Sequence, residues 1–150
     1  MKIVVIGGHG LIGSRVVEGL ARLGHDAVAA SRRSGVDVLT GEGLARVLEG
    51  AQAVVDACNA PIFEDPQVGD FFRSATTQLL AACERASVQH LVGLSIVGTP
   101  YLQDSAYFRA KAVQEDLVHQ SGLRSTLIRA TQCYEFMSQL VAPLGRRQAL

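Results

Sequence analysis

Residues 1–13 run from a short apolar stretch, Met1-Lys-Ile-Val-Val-Ile6, straight into Gly7-Gly8-His9-Gly10-Leu11-Ile12-Gly13 and then into a helical pattern. Few folds accept that order. Gly7 permits a tight strand-to-helix turn, Gly10 lets backbone N–H groups approach an anion closely, and Gly13 lets the helix pack against the strand. The first turn of such a helix presents unpaired donors and the positive end of its dipole, which together attract a phosphate. The segment therefore reads as a cradle for a dinucleotide pyrophosphate, lined also by His9, Leu11 and Ile12.

The remaining pattern alternates strand and helix. Leu11, Val16, Leu20 and Leu23 recur at near-helical spacing up to Gly24, and Ala27–Ala30 reads as a second strand. Gly35–Val38 reads as a short third strand, Gly43–Leu48 as a helix, and Ala53–Ala57 as a fourth strand. A long helix follows over Val68–Ala86, then a strand over His90–Ser95, a helix over Tyr107–Gln120 ended by Gly122, and a sixth strand over Ser125–Arg129. Near-continuous apolar strands interleaved with helices predict a Rossmann-like, doubly wound parallel sheet of about six strands in three αβα layers. Ligands of such sheets collect beyond the carboxyl ends of the strands, where the strand order reverses. The loop from Pro61 to Pro66 is expected to border that site.

The 150 residues suit one domain, with 141–150 expected as a loosely ordered tail. Fourteen basic and fourteen acidic residues balance, so no overall field draws in nucleic acid or an anionic membrane. No apolar run is long enough to span a bilayer and no signal-peptide layout precedes the first strand, so a cytoplasmic protein is expected. Cys58, Cys83 and Cys133 are widely spaced and the four histidines lack ligand spacing, so reduced thiols and no metal are expected.

The identity of the nucleotide turns on the end of the second strand. A carboxylate there binds a ribose 2′-hydroxyl, whereas a cation binds a 2′-phosphate. This chain offers Ser31-Arg32-Arg33, whose guanidiniums suit bidentate phosphate contact, so NADP(H) is favoured over NAD(H). Asp37 and Val38 are placed to touch adenine. Lys2 and Lys111 are the chain's two lysines, and Lys111 follows Tyr107 by four residues on one helix face. A nearby ammonium favours the phenolate, so the pairing predicts a Tyr107 pKa below the ordinary tyrosine value. Ser95, ending a strand, is expected to hydrogen-bond a substrate carbonyl.

With these residues in this order, the sequence resembles the short-chain dehydrogenase/reductase superfamily. The spacing Gly7-x-x-Gly10-x-x-Gly13 is similar to that of its extended and atypical branches. Asn59-Ala-Pro-Ile-Phe-Glu-Asp65, Leu94-Ser-Ile-Val-Gly98, Tyr107-Phe-Arg-Ala-Lys111 and Arg129-Ala-Thr-Gln132 resemble its atypical, NmrA-like NAD(P)H-binding group over about residues 1–140. The resemblance implies pyrophosphate at Gly7, Gly10 and Gly13 and a 2′-phosphate at Arg32. It further implies the cofactor ribose beside Asn59, Cys58 and Lys111, and proton transfer by Tyr107 with Lys111. Members of that group usually run further, through the elements that form a substrate pocket and lid, so most of that region is expected to be missing. Apolar Phe136, Met137, Leu140 and Val141 would then either pack against a second copy, giving a homodimer, or fold back as a terminal helix.

The leading expectation is an NADPH-dependent oxidoreductase acting on a small-molecule carbonyl or related group. The alternatives are a non-catalytic NADP(H)-sensing module that acts through a protein partner, and a cofactor-independent isomerase or cyclase on the same fold.

Overall fold

The computed structural model describes residues 1–131 and 133. Five strands, β1 (Lys2–Ile6), β2 (Asp26–Ala30), β3 (Ala53–Asp56), β4 (His90–Ile96) and β5 (Ser125–Ala130), form one sheet in the order β2-β1-β3-β4-β5. Every pairing is parallel, with Val4 opposite Val28 on one side and Val54 on the other. Four helices connect the strands: α1 (Leu11–Arg22), α2 (Leu44–Leu48), α3 (Gln67–Arg85) and α4 (Ala106–Gln120). Right-handed crossovers put α1 on one face and the other three helices on the opposite face, giving three layers. The chain leaves β1 in one direction to reach β2 and returns to the other side for β3, so the strand order reverses at β1 and β3. No helix among the described residues is long and apolar enough to cross a membrane.

The main core stacks Val4, Ile6, Val54 and Leu91 of the sheet against Leu44, Leu48, Leu79 and Val118 of the helices. Burying each such side chain stabilises the fold by about 1.5–3 kcal/mol before entropy is counted. Helix α3 buries Val68, Phe72, Ala75, Thr76, Leu79, Ala82 and Cys83, an i, i+4, i+7 stripe that packs against sheet and neighbours. Helix α4 buries an equally regular stripe, but Lys111, Gln114 and Glu115 occupy its middle between Ala110 and Val118. A second small core of Ala60, Val68, Phe72 and Ala110 lies under Tyr107 and sets the helix face that reaches the site.

The expected third strand at Gly35–Val38 does not form, and among the described residues the sheet has five strands. Backbone groups in this stretch are used locally. Ser31 and Ser34 cap each other's backbone around a 3-10 turn at Arg32–Ser34, and Gly35 closes it at φ 73°. The Val36 amide then donates to Ser31, the Leu39 amide to the Asp37 carboxylate, and the Gly41 amide to the Asp37 carbonyl. Val36 is buried, so its apolar character serves the core from a loop. The tail at 141–150 and the proposed dimer residues Phe136, Met137, Leu140 and Val141 lie outside the described residues.

Candidate functional site

The cleft sits over the carboxyl ends of β1, β3 and β4, has a volume of about 880 Å³, and has the glycine loop as its floor. Gly7 takes a left-handed φ of 75°, and a Cβ at Gly13 would lie 2.1 Å from the Gly7 carbonyl oxygen. Only hydrogen at position 13 permits α1 to start this close to β1. The Gly10 amide bonds the Gly7 carbonyl at 2.8 Å, and Gly10 then caps α1 with no side chain of its own. The amides of Leu11, Ile12 and Gly13 find no acceptor among the described residues, and those of Leu11 and Ile12 border the cleft, where an anion can take them. Gly13 itself stands behind the wall; His9, Gly10, Leu11 and Ile12 line it.

Beyond the loop, His9 Nδ1 lies 2.8 Å from Ser31 Oγ, and Ser31 also accepts from the Arg33 amide. Ser31, Arg32, Arg33, Asp37 and Val38 all line the cleft. The guanidiniums of Arg32 and Arg33 form no ion pair among the described residues, and both side chains are exposed. Asp37 spends one carboxylate oxygen on the Leu39 amide at 2.8 Å.

The other end of the cleft holds Asn59, Tyr107 and Lys111, with half-buried Cys58 between the two ends. The Tyr107 hydroxyl donates to Asn59 Oδ1 at 3.1 Å, and Phe63 packs edge-on to the tyrosine ring at 5.1 Å. A bond from Arg109 to Asp65 ties the loop carrying Phe63 to α4. Lys111 turns its ammonium inward, donating to the Leu94 carbonyl at 2.6 Å and to Gln114 Oε1, with Nζ 4.7 Å above the Phe72 ring. The expected lowering of the Tyr107 pKa is therefore corrected: burial raises it, and the Asn59 hydrogen bond opposes that only in part. Burial brings Lys111 down to about 8, against the opposing charges of Asp56 and Glu115. Burial, with the charge of Asp56, pushes the Cys58 thiol well above its usual value, which leaves it an unreactive thiol.

Ser95 lines the cleft at the end of β4, is 1% exposed, and donates its hydroxyl to Glu115 Oε1 at 2.5 Å. Glu115 in turn receives Arg129 Nε at 3.0 Å and Arg129 Nη2 at 2.6 Å, a bidentate pair joining α4 to β5. Burial pushes the Glu115 carboxyl up, but the bonds from Arg129 and Ser95 and the guanidinium charge outweigh it and leave the value lowered. The sequence assigns no role to Asp56, Gln114 and Glu115, and it singles out Arg129 only within the segment Arg129–Gln132 and not as a partner of Glu115. The one signal for two of them is their spacing, three and four residues after Lys111 on the same helix face.

A family model described as NAD(P)H-binding matches residues 7–136, from the glycine loop past the end of β5. The chain belongs to this NAD(P)H-binding family. The match agrees with the resemblance to the atypical, NmrA-like short-chain dehydrogenases/reductases. No curated protein matches. Among solved structures, this NAD(P)H-binding domain superimposes with a TM-score of 0.75 on a Bacillus halodurans protein assigned as an NAD-dependent epimerase/dehydratase, at 19% identity over 87% of this chain and 70% of that one. UDP-glucose 4-epimerase of Thermus thermophilus, in complex with NAD, gives 0.73 at 24% identity over 86% of this chain and 54% of that one. The dTDP-4-dehydrorhamnose reductase of Yersinia enterocolitica gives 0.75 at 16% identity over 98% and 61%. These likenesses establish the fold, and the domain spans roughly half to seven-tenths of those chains.

The residues present fit a nicotinamide dinucleotide. A Cβ at Gly13 would fill the space that closes the cradle, the first-turn amides of Leu11 and Ile12 have no acceptor among the described residues, and the cleft is within the size range of small-molecule sites.

Proposed function

We propose that the protein is an NADPH-dependent oxidoreductase that reduces a carbonyl or related group on a small molecule. The observation that carries this reading is the placement of Tyr107 and Lys111 at one end of the same cleft that has, at the other, the glycine loop and two arginines with no ion pair among the described residues. Pyrophosphate would sit on the amides of Leu11 and Ile12, and a 2′-phosphate between Arg32 and Arg33, with no carboxylate ending β2 to repel it. Bound there, NADPH supplies a hydride. Burial keeps the Tyr107 phenol protonated at neutral pH, so it can give its proton to the carbonyl oxygen as the carbon is reduced. Lys111 has a third N–H beyond those given to Leu94 and Gln114, available to the ribose hydroxyls. Pro61, Phe63, Phe71 and Phe108 make the walls around Tyr107 largely apolar, which favours an uncharged substrate. The reduced thiols of Cys58 and Cys83 suit a cytoplasmic setting.

A second reading, an NADP(H)-sensing module without turnover, is favoured by one observation: the Ser95 and Tyr107 hydroxyls are both engaged by protein groups. Titration of the protein with NADPH and NADH, followed by nicotinamide fluorescence, tests both readings. NADPH is expected to bind more tightly, and Arg32→Ala to weaken NADPH about tenfold while leaving NADH unchanged. Binding of neither nucleotide would remove both readings. In a carbonyl-reduction screen, Tyr107→Phe is expected to lower kcat about 100-fold or more with NADPH affinity retained. Unaltered turnover would take the proton transfer away from Tyr107, and nucleotide binding with no turnover on any carbonyl, together with a partner that distinguishes NADP⁺ from NADPH, would select the sensor.

A further inference from the structure

The polar middle of the buried face of α4 has more in it than Lys111. Gln114 is 2% exposed, Lys111 3% and Asp56 6%, and they form one continuous chain. Lys111 Nζ donates to Gln114 Oε1, and Gln114 Nε2 donates to Asp56 Oδ2 at 2.9 Å. The direction of the amide is dictated at both ends, because an ammonium can only donate and a carboxylate can only accept. The second carboxylate oxygen, Asp56 Oδ1, accepts the Cys58 amide at 3.0 Å and so fixes the first residues after β3. The next residue, Asn59, holds the Tyr107 hydroxyl.

We infer that Asp56 is the positioning hub of the Tyr107–Lys111 pair, holding the lysine as a counter-ion through the Gln114 amide and the tyrosine through the Cys58–Asn59 turn. A buried ammonium without compensation is costly. Its immediate neighbours supply dipoles and a ring face: the Leu94 carbonyl from β4, Gln114 from α4 and Phe72 from α3. The titratable groups that face it are Asp56 at the end of β3, Cys58 in the loop beyond it, and Glu115 on its own helix. Glu115 is already satisfied by Arg129 and Ser95. Among the described residues Asp56 has no cation of its own in hydrogen-bond contact, and the Gln114 amide relays its charge to Lys111. Gln114 thus sets both the direction of the ammonium and the pH at which it loses its proton. The catalytic meaning of the hub rests on the oxidoreductase reading; the link itself does not.

The chain's two lysines make the test direct. Protein labelled with 13C at lysine Cε gives two resonances, with half-buried Lys2 at the start of β1 as the internal reference, and the Lys111 signal is followed against pH without nucleotide or substrate. The wild-type midpoint is expected near the value of about 8 set by burial. Asp56→Asn removes the counter-ion and should bring it about one pH unit lower. Gln114→Met, which cuts the relay and keeps the volume, should lower it similarly. If the carboxylate acts through the amide, the double variant falls no further than the larger single effect. A Lys111 midpoint unmoved by either substitution in a folded protein, or effects that add in full, would overturn the hub; should Asp56→Asn fail to fold, Gln114→Met alone decides. In the NADPH-dependent assay, the alkaline limb of kcat should follow the lysine midpoint from variant to variant. A lysine midpoint that moves as expected in a protein with no reductase activity would retain the link and remove the oxidoreductase reading.

Discussion

A single atom separates Gly13 from any other residue at its position. With a Cβ 2.1 Å from the Gly7 carbonyl oxygen, alanine cannot be accommodated by rotating a side chain, since both partners are backbone or backbone-attached. Gly13→Ala is expected to cost about 3 kcal/mol, read as a shift in the urea midpoint at unchanged slope, and to abolish nucleotide binding by pushing α1 off the cradle. This is also the residue scale at which the sequence was most legible. The geometry at Gly7 and Gly13 is local, set by spacing within one turn, and the structure has both the tight turn and the close helix packing that the spacing predicts. Tyr107 and Lys111 were legible as neighbours on a helix, but not the sign of the tyrosine pKa. That sign is set by burial of the phenol, which the Asn59 hydrogen bond offsets only in part and which helix spacing does not reveal.

Among the elements, α4 does the most unusual work. An amphipathic helix of this length normally gives its buried stripe to apolar groups; this one gives it to a lysine, a glutamine and a glutamate, each answered by a partner from β3, β4 or β5. The Glu115–Arg129 pair clamps α4 to β5. Because the folded carboxyl lies below its unfolded value, its stabilisation is present in full above the unfolded carboxylate range and is lost as pH falls through the folded value. Urea midpoints of wild type and Glu115→Gln should therefore differ at pH 7 and converge toward pH 3; a gap that stays constant with pH would assign the effect to packing alone. None of these cross-element partners could be read from the sequence, since Asp56 and Gln114 are 58 positions apart and Ser95 and Glu115 are 20 apart. The loss of the expected third strand has a local cause instead. Val36 and Val38 have the right composition for a strand, but two serines and an aspartate offered the backbone nearer partners.

For the whole molecule, alternation of apolar strands with helices was enough to specify a parallel, three-layer sheet, because every strand is short and every crossover brings its helix back over the sheet. The composition carried less about the cleft, whose walls come from the loops after the strands together with residues of β4, α3 and α4. Without a third strand, β2 becomes the margin of the sheet among the described residues. The Asp26 amide points inward to the Met1 carbonyl, so by alternation Val28 and Ala30 also face β1, while the amides of Ala27 and Ala29 face outward with no partner among the described residues. Within one five-residue segment, deuterium uptake should accordingly alternate, fast at Ala27 and Ala29 and slow at Val28, a two-residue rhythm that a sheet extended by another strand would erase.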